Sequence, residues 1–135
     1  MKETTQTEYL GELRTQATHV YSGNTIITDA PLDNKGKAEA FSPTDLLATA
    51  LGSCMITIMG IAAREHGFDM DGTTAKIWKI MESNPRRVSE VKIDLTFPKN
   101  NYSEKEKKII ERSAFTCPVY LSLHPDLKKI ITFNF

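Results

Sequence analysis

Residues 41–67 read FSPTDLLATALGSCMITIMGIAAREHG, and this stretch decides the fold. Ser42 can cap a helix, Pro43 suits a first helical turn, and Asp45 completes a capping-box-like pattern. Gly67 is a natural stop, so the pattern predicts a helix from Pro43 to about His66. From Leu46 to Ala63 the chain carries no charge. An apolar run of that length is the lower edge of a membrane span. It is interrupted by Thr49, Gly52, Ser53, Thr57 and Gly60 and has no aromatic belt, which argues against a membrane. A helix that is apolar all round is expected instead at the centre of a soluble domain or dimer. Its small residues would let neighbouring backbones approach closely.

Working outward, Tyr9 to His19 reads as one strand. Thr25 to Thr28 reads as another after the turn Ser22-Gly23-Asn24. Asp29 to Phe41, with Pro31 and Gly36, reads as a loop long enough to suggest function. Beyond the helix, Thr74–Glu82 and Val88–Phe97 read as strands flanking the turn Ser83-Asn84-Pro85-Arg86. In the second of them Val91, Ile93, Leu95 and Phe97 face one way and Lys92, Asp94 and Thr96 the other. Ser103 and Glu106 form a capping box for a second helix. Its apolar stripe runs through Ile110 and Ala114 to Cys117, and Lys105, Lys107 and Lys108 make a solvated face. Ile131, Phe133 and Phe135 alternate in a last strand. Two strands, a buried helix, two strands, a helix and a strand make an α+β fold, with helices on a mainly antiparallel sheet.

The 135 residues fit one domain, spanning 1–135. A chain of this size buries roughly two-thirds of its unfolded surface. Seventeen basic residues balance 17 acidic ones, so no nucleic-acid or membrane-surface partner is expected. Met1 to Tyr9 is polar and lacks the apolar region of a secretory signal. Two cysteines are too few for a disulfide scaffold. A reducing cytoplasm is the expected location, where such a pair is catalytic, redox-sensing or simply buried.

Cys54 falls on the stripe Leu47, Leu51, Cys54, Ile58, Ile61. It stands about 16 Å along the helix from Pro43, at ~1.5 Å per residue. The helix dipole acts over the first turn only, and apolar burial makes a thiol inert. A reactive Cys54 therefore needs a cation from elsewhere; otherwise it is a small buried hydrophobe. Cys117 precedes Pro118, which disfavours continuing the helix. It is either the last residue of the second helix, which would raise its pKa, or the cap of a following one, which would lower it. A bond between the two cysteines would close a loop of about 60 residues, worth roughly 4 kcal/mol in the chain-entropy model. His19, His66 and His124 show no zinc-type spacing with the cysteines, so no metal is expected.

The stretch from Phe41 to Cys54 resembles the central-helix signature of OsmC-like proteins. Cys117-Pro118-Val119 is similar to their second cysteine motif, and Asp29-Ala30-Pro31 to Gly36 to the loop before the helix. The likeness runs from about residue 9 to the end. It implies an intertwined homodimer with active sites at the interface. It also implies a thiol peroxidase acting on small hydrophobic hydroperoxides in oxidative stress defence. Cys54 would be peroxidatic and Cys117 resolving. A thiol reductant such as a lipoyl protein would restore them, and no resident cofactor is implied. An apolar pocket including Met55, Ile58, Met59 or Trp78 would favour organic peroxides. The peroxidases of the family carry a glutamate directly after the helix-starting proline, where it orients an activating arginine. Here that position is Thr44, and Asp45 is the nearest acid. Arg14, on the first strand, is the best match to the arginine. Alternation groups it with Leu10 and Glu12, so it faces either a cleft or solvent. Arg86 and Arg87, in the turn, either bind anions or stay solvated. The other readings are a non-enzymatic dimeric module that binds a small ligand and keeps structural cysteines, or other thiol chemistry on an electrophile.

Overall fold

The structure is a computed structural model describing residues 1–135. The chain divides into two compact units, Met1–Leu46 and Leu47–Phe135.

The first unit is an antiparallel sheet of β1 (Thr5–Gly11), β2 (Arg14–His19) and β3 (Thr25–Asp29) in that order. The stretch expected as one strand from Tyr9 to His19 is broken in two. Gly11, Glu12 and Leu13 all take positive φ, of 87°, 55° and 64°. Left-handed residues are what a tight reversal between twisted strands requires. The break also cancels the alternation that grouped Arg14 with Leu10 and Glu12. Between β2 and β3 the register places Arg14 opposite Asp29. The expected loop then holds one 3-10 turn, Leu32–Asn34. Gly36 packs so closely on Ala30 that a Cβ there would lie 1.7 Å from the Ala30 carbonyl oxygen. Only glycine fits. The loop returns to the sheet where the Asp29 N–H donates to the Phe41 carbonyl at 3.0 Å.

Helix α1 (Pro43–Glu65) opens with the expected reciprocal cap. The Ser42 N–H donates to Asp45 Oδ2 at 2.9 Å, and the Asp45 N–H to Ser42 Oγ at 3.0 Å. It ends before Gly67, at φ 78°.

In the second unit, β4 (Thr74–Glu82), β5 (Arg87–Thr96) and β6 (Lys128–Asn134) form a sheet in that order. β4 and β5 are antiparallel, but β6 runs parallel to β5. The chain reaches it through α2 (Glu104–Ala114) and α3 (Pro118–Ser122), the crossover that a parallel neighbour demands. Ser103 and Glu106 make the expected capping box. Val91, Ile93 and Leu95 are fully buried and Phe97 nearly so, as the alternation of β5 requires. They pack with Leu51, Met55 and Met59 of α1 and with Ile110 and Ala114 of α2. Each such side chain contributes roughly 1.5–3 kcal/mol relative to exposure. Gly52 sets the distance between helix and sheet, since a Cβ there would meet Ile77 Cδ1 at 2.5 Å. By length and composition α1 could cross a membrane. Its Leu51–Met55–Met59 side is instead packed into this core, as in a soluble domain.

The face of α1 that is buried differs from the expected stripe. The buried positions are Ala48, Leu51, Gly52, Met55, Met59 and Ala63. Leu47 and Ile61 are exposed, at 36% and 48%. Cys54 and Ile58 lie at the margin of the core, partly buried.

Candidate functional site

Helix α1 and the segment between α2 and α3 each supply one cysteine. Cys54 is partly exposed at the core margin, and Cys117 has no exposed surface. Ile110, Ala114 and Cys117, the stripe read from sequence, are all fully buried. Cys117 lies beyond α2, because the proline that follows it forces extended backbone (φ −61°, ψ 130°). The alternative left open in the sequence is thereby decided. Cys117 caps α3, and its sulfur accepts the Tyr120 N–H at 3.3 Å.

The Cys54 and Cys117 side chains are neighbours within one chain, close enough for Cys54 to act on the Cys117 proton, and both are free thiols. Burial pushes the Cys117 thiol up from its ordinary value, and the neighbouring Cys54 thiol adds to the rise. The backbone N–H groups of Tyr120 and Val119 pull the other way and do not prevail. Desolvation of the thiolate therefore outweighs the capping donors. Two thiols in contact, one open to solvent and one closed, form a pair that a two-electron oxidant can convert to a disulfide through its outer member.

In the first unit, Arg14 is held by two carboxylates. Its Nη2 lies 2.8 Å from Glu39 Oε2 and 3.6 Å from Asp29 Oδ2. Asp29 is 1% exposed, whereas the Glu39 side chain is 58% exposed. Asp29 Oδ2 also accepts the Glu39 N–H at 3.0 Å. That backbone donor is the main reason the Asp29 carboxyl is held below its usual range; Arg14 adds to it against the opposing effect of burial. Asp29 Oδ1 is buried with no hydrogen-bond partner.

Asp45 is the acid nearest to the position of the family's glutamate. Its carboxylate is engaged in the α1 cap, and the acids on Arg14 are Asp29 and Glu39. Neither acid was singled out from the sequence. The register across Ser22-Gly23-Asn24 would have put Asp29 opposite Arg14 once the break at Gly11–Leu13 was recognised. The pocket residues also need correction. Met55 and Met59 are core side chains with no exposed surface. Trp78 is on the opposite face of β4 from Ile77, 42% exposed, with Lys92 Nζ 5.0 Å from its ring centre. The strict alternation of β4 turns it away from the helix. Ile58 alone of the four shares the partly buried margin with Cys54. A cleft of about 640 Å³ does lie on this helix, but farther along, bounded by Thr57, Ile61, Arg64, Phe68 and Met70.

Two compact three-stranded sheets, a long apolar helix and a pair of touching free thiols define a two-cysteine α+β protein. The family model for OsmC-like proteins matches residues 36–130, and the chain belongs to that family. A crystal structure from Psychrobacter arcticus 273-4, named provisionally as an osmotic stress induced and detoxification response protein, is 52% identical. The match covers 99% of this chain and 97% of that one, with a TM-score of 0.95. An organic hydroperoxide resistance protein OsmC from Legionella pneumophila is 12% identical, covers 98% of both chains and has a TM-score of 0.75. One from Elizabethkingia anophelis is 16% identical over 99% of this chain and 97% of that one, with a TM-score of 0.72. At such identities the last two show the shared fold alone. No curated protein matches this chain.

Proposed function

We propose that this protein reduces organic hydroperoxides with its two thiols, Cys54 as the peroxidatic and Cys117 as the resolving cysteine. The observation that carries this reading is the nearness, inside one chain, of a partly exposed free thiol and a buried one. A peroxide arriving from solvent meets Cys54 first. The Cys54 thiolate attacks one peroxide oxygen; an S–O bond forms, the O–O bond breaks, and the alkoxide leaves and takes up a proton. The sulfur of Cys117 then attacks the sulfenic sulfur. The S–S bond forms, and the departing hydroxide leaves as water with the Cys117 proton. An external dithiol, such as the dihydrolipoyl group of a carrier protein, returns both thiols by exchange and is itself oxidised. No resident cofactor enters this cycle, and free thiols of this kind suit the cytoplasm.

A thiol well inside a helix gains nothing from the helix dipole, so Cys54 needs a cation, the role that the family resemblance gives to Arg14. A second copy of the chain is the proposed cover for the outer side of α1. Leu47, Ala50, Ser53, Thr57 and Ile61 are exposed along one side of that helix and none is charged. Ile58, beside Cys54, gives the hydroperoxide an apolar neighbour.

Treatment with one equivalent of cumene hydroperoxide tests the cycle. Intact-mass spectrometry is expected to show the loss of two hydrogens, and peptide mapping a Cys54–Cys117 disulfide. If both thiols remain alkylatable after treatment, the protein is not a two-cysteine peroxidase.

A further inference from the structure

Away from the thiols, α1 carries a residue that its own packing does not require. Gly60 lies inside the helix, where glycine costs stability relative to alanine. No neighbour demands it, because a Cβ there would meet no atom within 4 Å. Gly52 differs, since Ile77 leaves no room for a side chain there. The open space at Gly60 is part of the cleft of about 640 Å³ that Thr57, Ile61, Arg64, Phe68 and Met70 bound. All its residues belong to the unit Leu47–Phe135. The volume is that of a small-molecule site. Its charges are not all available. Asp69, on the rim, accepts from Lys99 Nζ at 2.7 Å and from the Asp71 N–H at 3.1 Å. The lysine first, and that N–H second, hold its carboxyl below the ordinary range. Arg64 and Asp71 also line the cleft, and neither makes a salt bridge through its side chain. One free cation and one free anion therefore face the same space. The C-terminal end of α1 adds partial negative charge on the side of the anion's sign. The apolar walls are Ile61, Met70 and Phe68, whose ring is braced edge-on by Tyr102 at 6.2 Å. A ligand with a single charge would leave one of the two side chains unanswered; an ammonium and a carboxylate on one apolar body answer both.

We propose that this cleft binds a zwitterion of the α-amino-acid class with a branched or aromatic side chain. The carboxylate pairs with Arg64, the ammonium with Asp71, and the side chain occupies the space at Gly60 against Ile61 and Phe68. The site contains neither cysteine, so it goes beyond the peroxidase reading and stands or falls separately from it.

Equilibrium dialysis of the full chain against L-phenylalanine, L-leucine, phenylacetate and phenethylamine is the test. The better of the two amino acids is expected to bind about tenfold tighter than phenylacetate or phenethylamine, each of which carries only one of the charges. Arg64→Met is expected to weaken the amino acid about tenfold and to leave phenethylamine unchanged. Asp71→Asn is expected to bring phenylacetate level with L-phenylalanine. Gly60→Ala is expected to raise the melting temperature, as alanine does inside a helix, and to abolish binding by filling the cleft. That pair of readings separates lost space from a lost fold. The inference is overturned if neither amino acid binds, or if phenylacetate or phenethylamine matches them on the native chain. It is also overturned if Arg64→Met leaves the affinity for the amino acid unchanged. If Gly60→Ala leaves binding intact and dissociates a dimer seen by light scattering, the glycine serves an interface between copies and the inference fails.

Discussion

A thiol's place in the chain decides little until its surroundings are known, and Cys117 shows this. Its sulfur caps a helix, which favours the thiolate, yet burial wins and its proton is held more tightly than usual. The sign of the stability effect follows. A group whose pKa rises on folding contributes stability that is fully present below its unfolded value, near 8.5 for cysteine. That contribution is lost as pH climbs through the folded value. Urea denaturation at pH 7.5 and at pH 10 is therefore expected to show an alkaline loss of stability in the native chain. The loss should be smaller in Cys117→Ser, whose hydroxyl keeps the cap and does not titrate. Equal losses in the two proteins would rule this out. The two cysteines and Arg14 were legible in the sequence as candidates. The partners of Arg14 were not, because a hairpin register, not sequence proximity, brings Asp29 to it.

At the scale of elements, local signals served well where the local energy term is large. The two long helices, α1 and α2, start with reciprocal caps, at Ser42 with Asp45 and at Ser103 with Glu106. Replacing Ser103 by Ala leaves the Glu106 N–H without its acceptor and is expected to cost about 1 kcal/mol. Chemical denaturation of that variant measures it; no loss would mean water serves the helix end as well. The misreadings have physical causes too. Gly11-Glu12-Leu13 contains one glycine, so its two non-glycine left-handed residues gave no warning of the turn. On α1 every residue near Cys54 is uncharged, so nothing in its pattern distinguished the side that faces β5 from the side that does not. β5, with polar residues interleaved, left no such ambiguity.

At the scale of the molecule, the buried apolar residues all lie in Leu47–Phe135. The outer side of α1 remains open there, lined by Leu47, Ala50 and Ile61. If a second copy covers it, Ala50→Lys places a charge in the interface and is expected to yield a monomer by light scattering. Leu121→Lys, at a residue 69% exposed on α3, should leave the dimer intact. A dimer that survives Ala50→Lys would locate the interface elsewhere. The sequence by itself determined the α+β class, the capped central helix, the inward face of β5 and the family. The first three depend on periodicity, capping and turn chemistry within a few residues of chain, and the family on the motifs around the two cysteines. The tertiary structure alone decided that β6 lies parallel to β5, that Cys117 meets Cys54, and that Arg14 answers to Asp29 and Glu39. Those contacts join residues distant in the chain, and their energies come from burial and register, which no local pattern encodes.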